Sequence, residues 1–166
     1  MFPRLALAIL LLGQSGPEIS GRPAVISPEI LGFGSEQVVL WGIDAPVPGQ
    51  ICSRDGVQYD CGEESFYVLK DLVGDRPVRC TPVDVSGQRP VARCEVQWTQ
   101  CVHTTCEQDW RDLGLEMIAA GAATQRREET AGRYDADEET ARLGYAGVWA
   151  GPEWRGDGPR RPPVTP

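Results

Sequence analysis

Residues 38–49, VVLWGIDAPVPG, place an acid, Asp44, at the end of an apolar run, with two prolines in the four residues after it. An apolar strand that ends in a carboxylate at a proline turn can present that carboxylate to a site, where it would hold a cation or move a proton. The plainer use is structural: Asp44 would cap the turn before Pro46 by accepting backbone N–H bonds. A second candidate is CVHTTC, residues 101–106. Read as C-x-H-x-x-C, it offers Cys101, His103 and Cys106 as three zinc ligands. His103 is the only histidine of the chain.

The rival reading of those cysteines is a disulfide framework. Six cysteines in a chain that opens on MFPRLALAILLLGQSG fit an exported protein, in which cysteines pair. Cys52 and Cys61 bracket the loop SRDGVQYD. Cys80 and Cys94 lie on the strand-like runs RPVRCTPV and PVARCEVQ, and a hairpin turning at Gly87 sets them opposite each other. Cys101 and Cys106 then remain for each other, with zinc ligation or free thiols as the other uses of that pair.

Arg4 followed by the apolar run Leu5–Leu12 reads as a signal peptide over residues 1–15. That run is far shorter than the ~20 residues of a membrane span, so the mature chain is expected to carry no transmembrane segment and to be exported, periplasmic or secreted. An uncleaved N-terminal anchor is the alternative. The 166 residues suffice for one domain with a core. The net charge is −8, and removing Arg4 with the leader makes it −9 (−8 − 1). A protein that grips nucleic acid through phosphates presents a basic face. Here one lysine, Lys70, and scattered arginines face an acidic stretch, EETAGRYDADEE, best read as a solvated helix face.

The elements that would position these residues follow from pattern. GRPAVI, EILGF and QVVLWG are three short β-prone runs separated by turns. A Pro/Gly-rich loop runs from Ala45 to about Asp60. GEESFYVLKDLVG predicts a helix, with acids in its first turn and Gly74 as its stop. Two strands around Cys80 and Cys94 come next. DWRDLGLEMIAAG predicts a helix capped by Asp109, and Tyr134–Leu143 a third. Residues 151–166 form a Pro/Gly-rich tail carrying WRGDGPRRPP, with Trp149 and Trp154 expected to dock the C-terminus. The expected class is mainly β (α+β): a five-stranded Greek-key barrel of OB type with about three helices.

In combination, GIDAP, GQIC, YDCGEES, PVRC with RPVARC, DLGLEMIAAGAA and AGRYDADEETARLGYAGVWAG resemble the thermonuclease-like (staphylococcal-nuclease-like) family in order and spacing. The resemblance runs from Gly21 to Trp149, within an expected domain of residues 21–150. It implies an OB barrel with three helices and metal-dependent hydrolysis of DNA and RNA phosphodiesters, commonly with calcium. In such chemistry carboxylates hold the ion, arginines balance charge on the phosphoryl oxygens, and a glutamate activates the water.

Carried over position by position, the resemblance places Asp44 and Glu29 at metal-ligand positions and Arg89 at one phosphate-clamping position. Glu29 falls in Ser27-Pro28-Glu29-Ile30, and Arg89 in Gly87-Gln88-Arg89. Val39 stands where the family carries its first arginine, and Val47 where it carries the glutamate. A positioned base contributes ~10²–10⁴-fold and a phosphate-clamping arginine ~10³–10⁵-fold, so valines at both positions imply a loss of at least ~10³-fold. Arg54, Asp55 and Glu63 are candidate substitutes near the same end of the barrel. The expectation is a catalytically degenerate, pseudoenzyme-like binding module, with at most weakly held calcium, whose ligand the sequence does not name. One alternative is a calcium-dependent nuclease with a rearranged site, for which nucleic acid would be the partner. Another is a disulfide-stapled envelope interaction protein. Arg89 as a solvated hairpin residue and Trp41 as a packed side chain rather than a base platform are the bland readings beside these.

Overall fold

A computed structural model of the protein describes residues 16–151. The signal-like residues 1–15 and residues 152–166, with Trp154 and the arginine-rich tail, lie outside the described residues. The protein is mainly β, with short helices against the sheet.

Three strands form where the β-prone runs predict them: β2 (Ala24–Ser27), β3 (Ile30–Phe33) and β4 (Glu36–Leu40), an antiparallel meander preceded by β1 (Ile19–Gly21). A short β5 (Ile43–Asp44) follows. The expected loop from Ala45 to Asp60 contains a hairpin, β6 (Ile51–Arg54) and β7 (Val57–Asp60). Its turn is Asp55–Gly56, both at positive φ (52° and 79°), the Asp-Gly pair that tight hairpins favour. Helix α1 (Cys61–Val73) begins at an Asp60 cap, whose Oδ1 accepts from the Glu63 amide at 2.8 Å. Strands β8 (Val78–Asp84) and β9 (Val91–Val102) then pair with Cys80 opposite Cys94, the register expected of that hairpin.

The helix expected from Asp109 is corrected. Residues up to Asp112 form a strand, β10 (Thr105–Asp112), paired with β9 over eight positions from Thr105↔Val102 to Asp112↔Glu95. The β-prone Val, Thr and Trp of residues 96–110 decide for a ladder, and His103 at φ 56° makes the tight turn. Helix α2 (Leu113–Ala119) starts three residues later than expected, with Asp112 as its cap. After β11 (Thr124–Gln125) and the one-turn helix α3 (Arg127–Thr130), α4 (Asp135–Leu143) forms at the expected place, and a 3₁₀ turn covers Gly147–Ala150.

The main sheet runs β1-β8-β9-β4-β3-β2, with β10 also on β9, and it is mixed because β4 and β9 are parallel. Among the described residues it has seven strands rather than five, and the ladder does not close into a ring. The two ends of the path, β1 and β2, are separated in the chain only by Arg22 and Pro23. Proline has no amide N–H to continue a ladder, which accounts for the break there. The core joins Leu31, Val38, Leu40 and Ile43 to Leu69 and Val73 of α1, Val78 and Val96, and Leu113, Met117 and Ile118 of α2. At ~25 cal/mol per Å² of apolar surface removed from water, this burial is what holds the helices to the sheet.

Three disulfides staple this frame: Cys52–Cys61, Cys80–Cys94 and Cys101–Cys106, the expected pairs. The zinc reading of residues 101–106 is thereby replaced, since both sulfurs are bonded to each other. Among the described residues no helix is long and apolar enough to cross a membrane.

Candidate functional site

Asp44 ends β5, a two-residue strand whose ladder partner is β11, with Thr124 opposite Asp44. The chain leaves β11 directly into Arg126, whose amide donates to Gly42 O at 2.9 Å. This brings the Arg126 side chain back over residues 42–44. Its Nε donates to Ile43 O at 2.9 Å, and its Nη2 meets Asp44 Oδ1 at 3.2 Å. Both side chains are withdrawn from water, 4% exposed for Arg126 and 12% for Asp44. Asp44 is therefore paired with an arginine of its own chain.

Glu29 sits beside this pair. In the β2–β3 turn, its Oε1 accepts from the Ala45 amide at 2.7 Å, one residue beyond Asp44. Glu129 of α3 comes to the other side of the turn and accepts from the Gly42 amide at 3.0 Å. Three carboxylates thus surround residues 42–45, with the Arg126 guanidinium buried among the same backbone groups. The resemblance to a metal-dependent family can be tested on this geometry. A calcium ion takes six to eight oxygens. Asp44 is salt-bridged to a guanidinium and Glu29 is bonded to a backbone amide. Among the described residues no three His, Cys, Asp or Glu side chains converge as metal ligands. The residues do not fit a calcium centre.

The other carried-over positions are dispersed. Arg89 is exposed, and its Nε donates to Gln37 Oε1 at 2.7 Å, at the start of β4. Asp44 lies seven residues further along the chain. Val39 is half-buried between Ile30 on β3 and Val91 on β9. Val47 belongs to a loop held by its own bonds: Gln50 N to Val47 O at 2.9 Å and Val47 N to Gln50 Oε1 at 3.0 Å. That loop rests on the start of α1, where a Cβ on Gly62 would stand 1.9 Å from Val47 O. Of the candidate substitutes, Arg54 pairs with Glu64 at 2.9 Å and lies over Tyr59, Asp55 is in the exposed hairpin turn, and Glu63 is exposed at the start of α1.

Other arginines are engaged with aromatic rings. Arg93 stands 4.1 Å from the centre of the Trp41 ring, Arg79 is 4.2 Å from Trp110 and 2.8 Å from Glu95, and Arg76 and Arg111 flank Trp98. Trp41 is 7% exposed and meets Tyr134 edge to face, so it is a packed residue. Tyr134 donates to Asp112 Oδ2 at 2.9 Å, while Asp112 Oδ1 caps α2. Burial first, and the Asp112 carboxylate second, hold the Tyr134 phenol well above the ordinary tyrosine value. The residue that the sequence did not single out is Arg126. It lies in QRREET next to Arg127, and no local pattern separates the buried arginine from its exposed neighbour.

Fold and site define a mainly β, disulfide-stapled protein in which the strand-end acid is closed by an internal ion pair. No family model matches the chain. Over 149 residues it is 32% identical to the succinoglycan biosynthesis protein ExoI of Rhizobium meliloti, an alignment covering 86% of this chain and 72% of that protein. The chain belongs to the ExoI family.

Proposed function

We propose that this protein is an exported, non-hydrolytic binding module with a thermonuclease-like, OB-type architecture, and that it serves polysaccharide biosynthesis, the role that ExoI's name gives to its relative. The architecture is supported by connectivity: a β2–β3–β4 meander, a helix, the β8–β9 hairpin and the parallel β4–β9 contact, with β1 and β2 as two halves of one strand bent at Arg22–Pro23. Export is supported by three disulfides, which persist in oxidising compartments.

The observation that carries the non-hydrolytic reading is the Asp44–Arg126 pair, with Val39 and Val47 at the neighbouring positions. A phosphodiester transition state needs a cation free to meet the phosphoryl oxygens and a base for the water. The Arg126 guanidinium is already engaged with a carboxylate and a carbonyl, and valine supplies neither group. A nuclease with a rearranged site is the second reading, favoured by Glu29 bonding to the amide of Ala45, the residue after Asp44.

The test is two-sided. The purified protein is assayed on single-stranded DNA with calcium, and a strain lacking the protein is assayed for extracellular polysaccharide. No cleavage together with reduced polysaccharide is expected. Calcium-dependent cleavage abolished by Asp44→Ala would establish the nuclease instead. Unchanged polysaccharide would remove the biosynthetic role.

A further inference from the structure

We propose that the groove between the start of β2 and the C-terminal half of α1 binds a short run of neutral hexose units in a glycan chain. This rests on the reading of the protein as a binding module in polysaccharide biosynthesis, and it gives that module a ligand site that does not include Asp44. The groove has a volume of about 740 Å³, within the ~300–1,000 Å³ of ordinary ligand clefts. Pro23 and Val25 line one wall, and Phe66 of α1 lines the other. Lys70, Asp71 and Asp75 are exposed along it, and Arg76 is half-buried.

The mixture of groups selects the ligand. A sugar hydroxyl donates one hydrogen bond and accepts up to two. The carboxylates of Asp71 and Asp75 accept, and the Lys70 ammonium and the Arg76 guanidinium donate, so one lining answers both needs. The C–H face of a hexose ring is apolar and matches the ring of Phe66. A phosphodiester chain fits less well. The two acids of the lining offset its two cations, and binding to such a chain is driven by cations in excess. The groove is also held in shape before a ligand arrives. Arg22 donates to Asp75 O and so ties the approach to β2 to the end of α1. Arg76 Nη1 donates to Asp71 O at 2.9 Å and to Leu72 O at 3.0 Å, and the guanidinium stands 4.1 Å from the centre of the Trp98 ring. A planar fork held in this way loses little freedom for each bond it forms. Trp98, next to Arg76 on the β9–β10 arm, is a built-in reporter of the site.

The experiment titrates the purified full protein with cellotetraose, maltotetraose and β-1,4-galactotetraose, and separately with a short single-stranded DNA. Amide and indole chemical shifts are followed by NMR at about 0.15 M salt. At least one tetrasaccharide is expected to bind with a Kd of about 1 mM or tighter. The largest shifts are expected at residues 23–25 and 66–76 and at the Trp98 indole. Lys70→Ala and Asp71→Ala, both at exposed positions, are each expected to weaken binding by about threefold to tenfold. Phe66→Leu, which keeps apolar bulk and loses the ring, is expected to weaken it by a similar factor. Gln108→Ala, on the exposed arm, is expected to leave it unchanged. No saturable shift with any of the three tetrasaccharides at about 10 mM overturns the proposal. So do shifts centred on other residues, or an affinity unchanged in both Lys70→Ala and Asp71→Ala. Single-stranded DNA that binds these same residues more tightly than every tetrasaccharide overturns the choice of a glycan. Binding in the groove, with normal polysaccharide from a strain lacking the protein, overturns the biosynthetic role and leaves the site in place. Reduced polysaccharide with no binding overturns the site and leaves the role in place.

Discussion

Replacing Asp44 by alanine should be among the most damaging single changes in this protein. The magnitude follows from burial. Arg126 is 4% exposed, and Asp44 Oδ1 faces it at 3.2 Å. Breaking a buried pair by removing one partner costs about 3–5 kcal/mol. For a domain of this size each kcal/mol shifts Tm by roughly 2–4 °C, so a fall of about 6–20 °C is expected. The control is Glu64→Ala, which breaks the Arg54 pair, where both side chains are 40% exposed. Solvent screening limits such a pair to ~1 kcal/mol or less. The double variant Asp44→Leu/Arg126→Met removes both charges, and its residual loss should be about 1–3 kcal/mol, because Ile43 O loses the donor Arg126 Nε. Equilibrium urea unfolding, followed by fluorescence of the five tryptophans with disulfides intact, measures all three. An Asp44→Ala loss within ~1 kcal/mol of the wild type at unchanged m-value would refute the reasoning. So would a coupling energy near zero once the single variants Asp44→Leu and Arg126→Met complete the cycle.

Limited reduction followed by alkylation and mass spectrometry should open Cys101–Cys106 first, because residues 99–109 are exposed whereas Cys80 and Cys94 are 0% and 2% exposed. Losing Cys80–Cys94, with a separation of 14 residues, should cost about 3 kcal/mol, against about 2 kcal/mol, confined to the β9–β10 arm, for the separation of 5. Gly62→Ala should destabilise by at least ~1 kcal/mol in the same unfolding assay, since its Cβ meets Val47 O and forces the loop off α1. Tyr134 gives a pH signature. Its folded pKa is raised, so its contribution is fully present below about pH 10 and is lost as pH rises from there towards the folded value. Tyr134→Phe should flatten that alkaline fall in stability and cost about 1–2 kcal/mol at neutral pH, from the lost bond to Asp112.

Local chemistry wrote much of this fold. Short β-prone runs mark β2, β3 and β4, the acids and Gly74 bracket α1, and the midpoint symmetry of Cys80 and Cys94 sets the hairpin register, because each depends on neighbours within a few residues. The Asp55–Gly56 turn was equally local and marks a hairpin that the Pro/Gly-rich composition of residues 45–60 obscured. The boundary at Asp112 was not local. Trp110, Leu113 and Met117 suit a helical stripe as well as they suit a strand followed by a helix, and eight ladder positions on β9 decided between them. For the candidate site, the sequence alone set an expectation: the resemblance puts valines at positions 39 and 47, and valine can neither carry charge nor accept a proton. Only the tertiary structure decided what Asp44 does. Arg126 is 82 residues away along the chain, and only the β5–β11 ladder brings the two together out of water, where a guanidinium and a carboxylate must pair.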